Sequence, residues 1–211
     1  MKNIIVFGAT GLAGSQIVKE SLHAGHQVTA FVRGNTYPLL HERLHIIQGN
    51  IFRLEDIEPA LFGKEAVVVA LGNMNFEDSA KVITPALQTI IPSMLKQDIR
   101  RILIIAGSGM LNADEHTLRK DLPNPPTFLL YPRQDHFAAF LYTVEQPVEW
   151  IFLCPPQIKE GDADHHYTVQ ASYFPPHMQG FITAGNIGHF VAQELDAAAF
   201  IRKRVGIATR S

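Results

Sequence analysis

The segment Gly8-Ala9-Thr10-Gly11-Leu12-Ala13-Gly14, directly behind the largely apolar run of residues 3–7, constrains this chain more than any other feature. A short apolar run reads as a strand buried on both faces of a parallel sheet. Residues 12–24 then carry Leu12, Ile17, Val18 and Leu22, an imperfect helical stripe that Gly25 stops. The chain must therefore turn a tight corner between strand and helix. The first glycine tolerates a positive φ there. The second leaves the backbone bare, and the third lets the helix pack close to the strand. A helix entered this way presents free N–H groups and the positive end of its dipole to an anion. The spacing of three and three differs from G-x-G-x-x-G, but its place at the first strand–helix junction is where a pyrophosphate-binding turn belongs.

Strands and helices alternate through the first half. Residues 28–32, 46–47, 66–71 and 102–105 read as strands, with helices over 54–61 and 79–95. Pro85 and Pro92 predict a late start, a kink or an early stop in the second of these helices. Residues 111–128, with Pro123, Pro125 and Pro126, read as a surface loop. A helix over 134–144 and a strand over 149–153 follow, the strand stopped by Pro155-Pro156. Residues 160–185 are rich in Gly, Pro and His, with a short hairpin expected near Tyr167-Thr168-Val169. A final helix covers 187–195 and a last strand 205–209. This alternation predicts an α/β fold, a Rossmann-type doubly wound parallel sheet with helices on both faces. One domain over 1–211 is expected, with a small substrate-pocket region at about 155–190. In such sheets ligands bind beyond the carboxyl ends of the strands, at the topological switch point.

Composition narrows the class. The chain has 211 residues, enough for one well-packed domain and too few for two full ones. The formal net charge is −2, so no global field draws it to nucleic acid or anionic lipid. No apolar run reaches membrane-spanning length, and residues 4–7 begin a strand rather than a signal peptide. Cys154 is the only cysteine, which excludes an intrachain disulfide and a Cys-rich zinc site. His165, His166 and His177 fit no common zinc spacing, so no metal is expected. A cytoplasmic monomer or small homo-oligomer, without nucleic-acid or membrane partners, is the expectation.

The candidate site residues fall just after the strands. Gly8, Thr10, Gly11, Leu12, Ala13 and Gly14 form the phosphate cradle. The second strand ends on Arg33, where NAD-selective sites place Asp or Glu for the ribose 2′-hydroxyl. A guanidinium suits a 2′-phosphate, which favours NADP; the alternative is a solvated surface arginine. Asn50 beside Ile51, after the third strand, is either an adenine partner or a turn residue. Ala70, Leu71, Gly72 and Asn73 would wall the adenosine half. Ser108, after the fifth strand, would lie near the nicotinamide as a donor to a reacting group, or be a turn serine. His136 is either a site residue or a partly buried polar group beside Asp135 capping its own helix. Tyr131 reads as structural and His189 as helix packing.

Phe7-Gly8-Ala9-Thr10-Gly11, Val32-Arg33, Leu71-Gly72, Asp135-His136, Pro155-Pro156 and Gly188-His189-Phe190 together resemble the flavin reductase or biliverdin reductase B-like family of atypical short-chain dehydrogenases, near the NmrA-like regulators. The likeness runs over nearly the whole chain. The N-terminal motifs are shared by the entire superfamily, whereas the last three are particular to this group. The resemblance implies an NADPH-dependent reductase of flavins and of linear tetrapyrroles, with flavin as substrate rather than resident cofactor; a quinone is a further planar acceptor of the same kind. It also implies that Ser108 and His136 flank nicotinamide and substrate, and that Pro155 borders the nicotinamide pocket. Two departures stand out. Tyr131-Pro132-Arg133-Gln134-Asp135 has the tyrosine of a Tyr-x-x-x-Lys pair but not the lysine, and residues 161–180 are unusually rich in His and aromatics. Phe174, Pro175 and Phe181 are candidates for an apolar mouth over the acceptor ring, the alternative for each aromatic being core or lid packing. The second function class is a non-catalytic NADP-binding redox sensor.

Overall fold

The apolar run becomes β1 (Asn3–Phe7), and the glycine segment delivers the chain into α1 (Leu12–His23). Then come β2 (Gln27–Val32), β3 (Leu44–Gln48), α2 (Leu54–Ala60), β4 (Ala66–Val69), α3 (Ile83–Lys96) and β5 (Arg101–Ile105). The remainder holds α4 (Leu130–Val144), β6 (Glu149–Cys154), β7 (Gln157–Lys159), β8 (Tyr167–Ala171), β9 (Phe181–Thr183), α5 (Ala184–Ala197) and β10 (Lys203–Thr209). This computed structural model describes residues 1–34, 37–72, 79–124 and 127–211; Asn73, Pro125 and Pro126 lie outside them.

The main sheet runs β3-β2-β1-β4-β5-β6-β10-β8. Every neighbouring pair is parallel except β10 with β8. Strand order reverses between β1 and β4, so the switch point lies at the end of β1, where Phe7 pairs with Phe31 on one side and Val69 on the other. This is the doubly wound Rossmann arrangement that alternation predicts. Strand residues alternate between two cores. Ile5, Phe7, Val67, Val69, Ile102 and Phe152 face the side of α2, α3 and α4. Ile4, Val6, Val28, Val68, Leu103 and Val205 face α1 and α5. Each such side chain, removed from water, contributes about 1.5–3 kcal/mol before entropy is counted.

Helix α3 shows why local pattern succeeds. Ile83, Ala86, Leu87, Ile90, Ile91 and Met94 are buried at helical spacing. Pro85 sits in the first turn, where a missing N–H costs nothing. Pro92 and Gln88 are both exposed, so the carbonyl that Pro92 leaves unbonded faces water and the helix continues. The late start is thus the outcome, at Ile83 rather than 79.

Other boundaries differ from expectation for physical reasons. Helix α4 begins at Leu130 rather than 134, because Pro132 is tolerated in its first turn. Helix α5 begins at Ala184, its first turn capped by the Thr183 hydroxyl accepting from the Asn186 N–H at 3.2 Å. The expected loop of 111–128 contains the 3₁₀ turn Arg119–Asp121. No local hairpin forms at Tyr167-Thr168-Val169; that stretch is β8, which pairs antiparallel with β10. The short β7 and β9 form a separate parallel pair. Among the described residues no helix is long and apolar enough to cross a membrane.

Candidate functional site

Gly8 takes φ +80°, and a methyl built on it would stand 2.3 Å from the Ala70 carbonyl oxygen. The ends of β1 and β4 can approach this closely only because the residue is glycine. A methyl on Gly14 would stand 2.0 Å from the Gly8 carbonyl oxygen, so glycine also sets how near α1 comes to the turn. The Gly11 N–H closes the turn on the Gly8 carbonyl at 3.0 Å. Gly11 is the N-cap, no side chain caps the helix, and no acidic residue occupies the first turn. Thr10 and Leu12 are exposed and Ala13 is buried. The amino end of α1 is therefore open toward solvent and electropositive. Tyr37, unremarked in the sequence, donates its hydroxyl to the Ala9 carbonyl at 3.2 Å and braces the turn from behind. Burial pushes its phenol up to about 12, so it stays a donor.

The adenosine side follows. Arg33 is exposed just beyond β2, and its guanidinium has no ion-pair partner among the described residues. Its carbonyl accepts from the Gln48 amide at 3.1 Å, which ties the ends of β2 and β3 together. Asn50 serves the turn: its Oδ1 accepts from the Phe52 N–H at 3.0 Å, and its own N–H donates to Asp56 at 2.8 Å. Its side-chain amide nitrogen is not used in that turn. Ile51 is buried in the core beneath. Ala70 is held by its N–H to the Phe7 carbonyl at 2.9 Å, Leu71 is half-buried, and Gly72 is exposed with open space around it.

Ser108 meets Pro155, and His136 lies against Gly107 next to Ser108, beyond the ends of β5 and β6. The Ser108 N–H donates to the Pro155 carbonyl at 2.8 Å, linking the chain beyond β5 to the chain beyond β6. The His136 ring lies against Gly107, where a methyl would be 3.4 Å from Nδ1. Burial pushes the imidazole down to about 4, against the opposing pull of the Asp135 carboxylate, so the ring is neutral near pH 7. Asp135 does not cap its own helix. Its carboxylate accepts from the N–H groups of Val82, Ile83 and Thr84 at 2.8, 2.8 and 3.0 Å, and from the Thr84 hydroxyl at 2.6 Å. It therefore caps α3 from α4. Burial opposes its charge, but these donors outweigh burial and hold the carboxyl below its usual range.

A cavity of about 210 Å³ adjoins Ser108, lined also by Gly109, Arg119, Leu122, Asn124 and Arg133. Its walls come from residues 108–133. Arg204, missed in the sequence, donates to the Met110 carbonyl and, at 2.9 Å, to Asn112 Oδ1, fixing the turn that carries Ser108. Phe174 lies under Arg119, whereas Phe181 lies under Lys159 on β7; neither they nor Pro175 line this cavity. His165 stacks on His189, whose Nδ1 meets the Tyr167 hydroxyl at 2.8 Å. Tyr131 is exposed on α4.

A family model described as NAD(P)H-binding matches residues 8–198. The chain belongs to the NAD(P)H-binding family. The match begins on the glycine whose backbone shapes the switch point. The uncapped, acid-free helix end and the glycine cradle fit such a cofactor. Among curated relatives, the uncharacterized protein YwnB of Bacillus subtilis is 32% identical over 156 residues, covering 71% of this chain and 70% of that protein. Dihydroflavonol 4-reductase of Zea mays is 30% identical over 129 residues, 53% of this chain but 36% of the enzyme. Among solved structures, a candidate NADH-flavin reductase from Streptococcus pneumoniae TIGR4 superposes with a TM-score of 0.87 at 23% identity over the whole of both chains. That last likeness establishes the shared fold.

Proposed function

We propose that this NAD(P)H-binding protein is an NADPH-dependent reductase that passes hydride to a planar acceptor, a flavin in the first place, with quinones and linear tetrapyrroles in the same class. The observation that carries this reading is the open, uncapped end of α1 at the switch point of the sheet, with Ser108 just beyond β5 and the His136 ring against the neighbouring Gly107. Bound NADPH supplies the hydride. The chain supplies position: the Ser108 N–H on Pro155 and the Arg204 bonds to Met110 and Asn112 hold the backbone that carries Ser108 in a fixed place. Donor and acceptor held at roughly 3–3.5 Å gain most of the available acceleration from orientation. His136, neutral because burial holds it near 4, donates or accepts a hydrogen bond to the acceptor without adding charge.

Ketone reduction would ask for a stronger acid. The lysine of a Tyr-x-x-x-Lys pair is replaced by Asp135, whose carboxylate is fully engaged on α3. A flavin ring is electrophilic enough to do without that acid. Arg33 at the end of β2 supports NADPH over NADH. The resemblance of Asp135-His136, Pro155-Pro156 and Gly188-His189-Phe190 to biliverdin reductase B-like proteins, and the name of the streptococcal neighbour, support the same acceptor class. The test follows NADPH absorbance with FMN, FAD, a quinone or biliverdin added. At least one acceptor is expected to accelerate oxidation, and Ser108→Ala to lower turnover by roughly a hundred- to a thousandfold with little change in NADPH affinity. Tight NADPH binding with no accelerated oxidation by any acceptor would assign the chain to redox sensing instead.

A further inference from the structure

The cavity beside Ser108 holds two guanidinium groups, Arg119 and Arg133, and no carboxylate among its described lining residues. Neither arginine takes part in an ion pair among the described residues, although Lys120 and Asp121 next to them pair with each other at 2.7 Å. Both side chains are seated. The Arg119 guanidinium lies 4.9 Å over the Phe174 ring. Arg133 runs along the backbone at Gly109, where a methyl would be 3.4 Å from Nε. Two guanidinium side chains that line one cavity, supported by packing and without an ion-pair partner among the described residues, suit an anion from outside the chain.

Size decides how much of a ligand enters. Whole drug-sized molecules occupy pockets of roughly 300–1,000 Å³, and this cavity is about 210 Å³. It takes one group of a larger molecule. Ser108 belongs to this wall and follows Gly107, against which the His136 ring lies, so the cavity adjoins the place proposed for the acceptor ring. We infer that the cavity binds an oxyanion, a phosphate monoester or a carboxylate, carried on the side chain of the planar acceptor, and that Arg119 and Arg133 select acceptors bearing one. This rests on the reductase reading for the placement of the ring, but not for the capture of the anion.

The experiment compares acceptors that differ only in the charged tail. NADPH oxidation by the full chain is measured with FMN against riboflavin, and with biliverdin against its dimethyl ester. A preference in kcat/KM of roughly tenfold or more, as charge-assisted hydrogen bonds provide, is expected for the anionic member of one pair, and the pair that shows it identifies phosphate or carboxylate. Arg133→Gln should collapse that preference and Arg133→Lys should keep part of it, while circular dichroism establishes that each variant is folded. Equal kcat/KM within both pairs would overturn the inference. If no acceptor is reduced, the reductase reading fails by itself. Flavin fluorescence titrated with NADP-loaded protein then decides the cavity: FMN bound more tightly than riboflavin, and no longer so in Arg133→Gln, supports it, and equal binding overturns it.

Discussion

Arg33 stands where a carboxylate would serve a ribose hydroxyl, and it is exposed with its guanidinium unengaged among the described residues. A charge-assisted bond to a 2′-phosphate is worth about 1.5–3 kcal/mol, or roughly ten- to a hundredfold in affinity. Arg33→Ala should weaken NADPH by that factor and NADH by less than about threefold, read by titrating each against intrinsic fluorescence. Equal losses would remove Arg33 from the cofactor site. The glycine turn and the strand end that carries Arg33 were legible in the sequence because both are local: each lies within a few residues. Tyr37 and Arg204 were not. Each acts by a hydrogen bond to a backbone carbonyl far along the chain, Ala9 for one and Met110 for the other, and no periodicity records such a contact. Asn50 was half legible, since an Asn after a strand suits both a turn and a ligand, and the bond to the Phe52 N–H uses one side of its amide for the turn.

Helices α3 and α4 are joined by one carboxylate. Asp135 satisfies three of the N–H groups that open α3, which has no side-chain cap of its own. Asp135→Ala leaves these donors buried without a partner and should cost about 2 kcal/mol, seen as a lower urea midpoint. The same element links stability to pH. The Asp135 carboxyl is held below its ordinary value in the folded chain, so its contribution is complete above the unfolded value of about 3.9 and is lost as pH falls through the folded one. The gap in urea midpoint between the parent chain and Asp135→Ala should therefore be constant near neutrality and narrow only in acid. A constant gap down to about pH 2 would show that the charge does not matter. One of the two readings of Asp135-His136 makes Asp135 a cap of its own helix; it caps α3 instead, because capping by an adjacent residue is a local rule and this cap reaches across 52 positions to Ile83. The expected hairpin failed likewise: β8 finds its partner in β10, from Val205 to Thr209, not in its own neighbours.

At the scale of the whole molecule, the proposed cofactor surface is assembled from the ends of β1, β2, β4, β5 and β6, so it exists only while the sheet does. A ligand of such a surface binds the folded chain and not the unfolded one. NADPH at about a hundred times its Kd should then stabilise the fold by about 2.7 kcal/mol. For a chain of this size each kcal/mol moves Tm by about 2–4 °C, so thermal melting should shift upward by about 5–11 °C. Gly14→Ala tests where that stabilisation arises. Its methyl would stand 2.0 Å from the Gly8 carbonyl oxygen, so α1 must move off the turn or the turn must open. Overpacking of this kind costs about 1–3 kcal/mol and should lower Tm in the absence of ligand. It also displaces the N–H groups at the open end of the helix, so the further rise on adding the same NADPH should shrink to a small part of the parent's. A variant that melts earlier yet gains the full NADPH shift would place the pyrophosphate somewhere other than the amino end of α1, and the functional reading built on that end would fall with it.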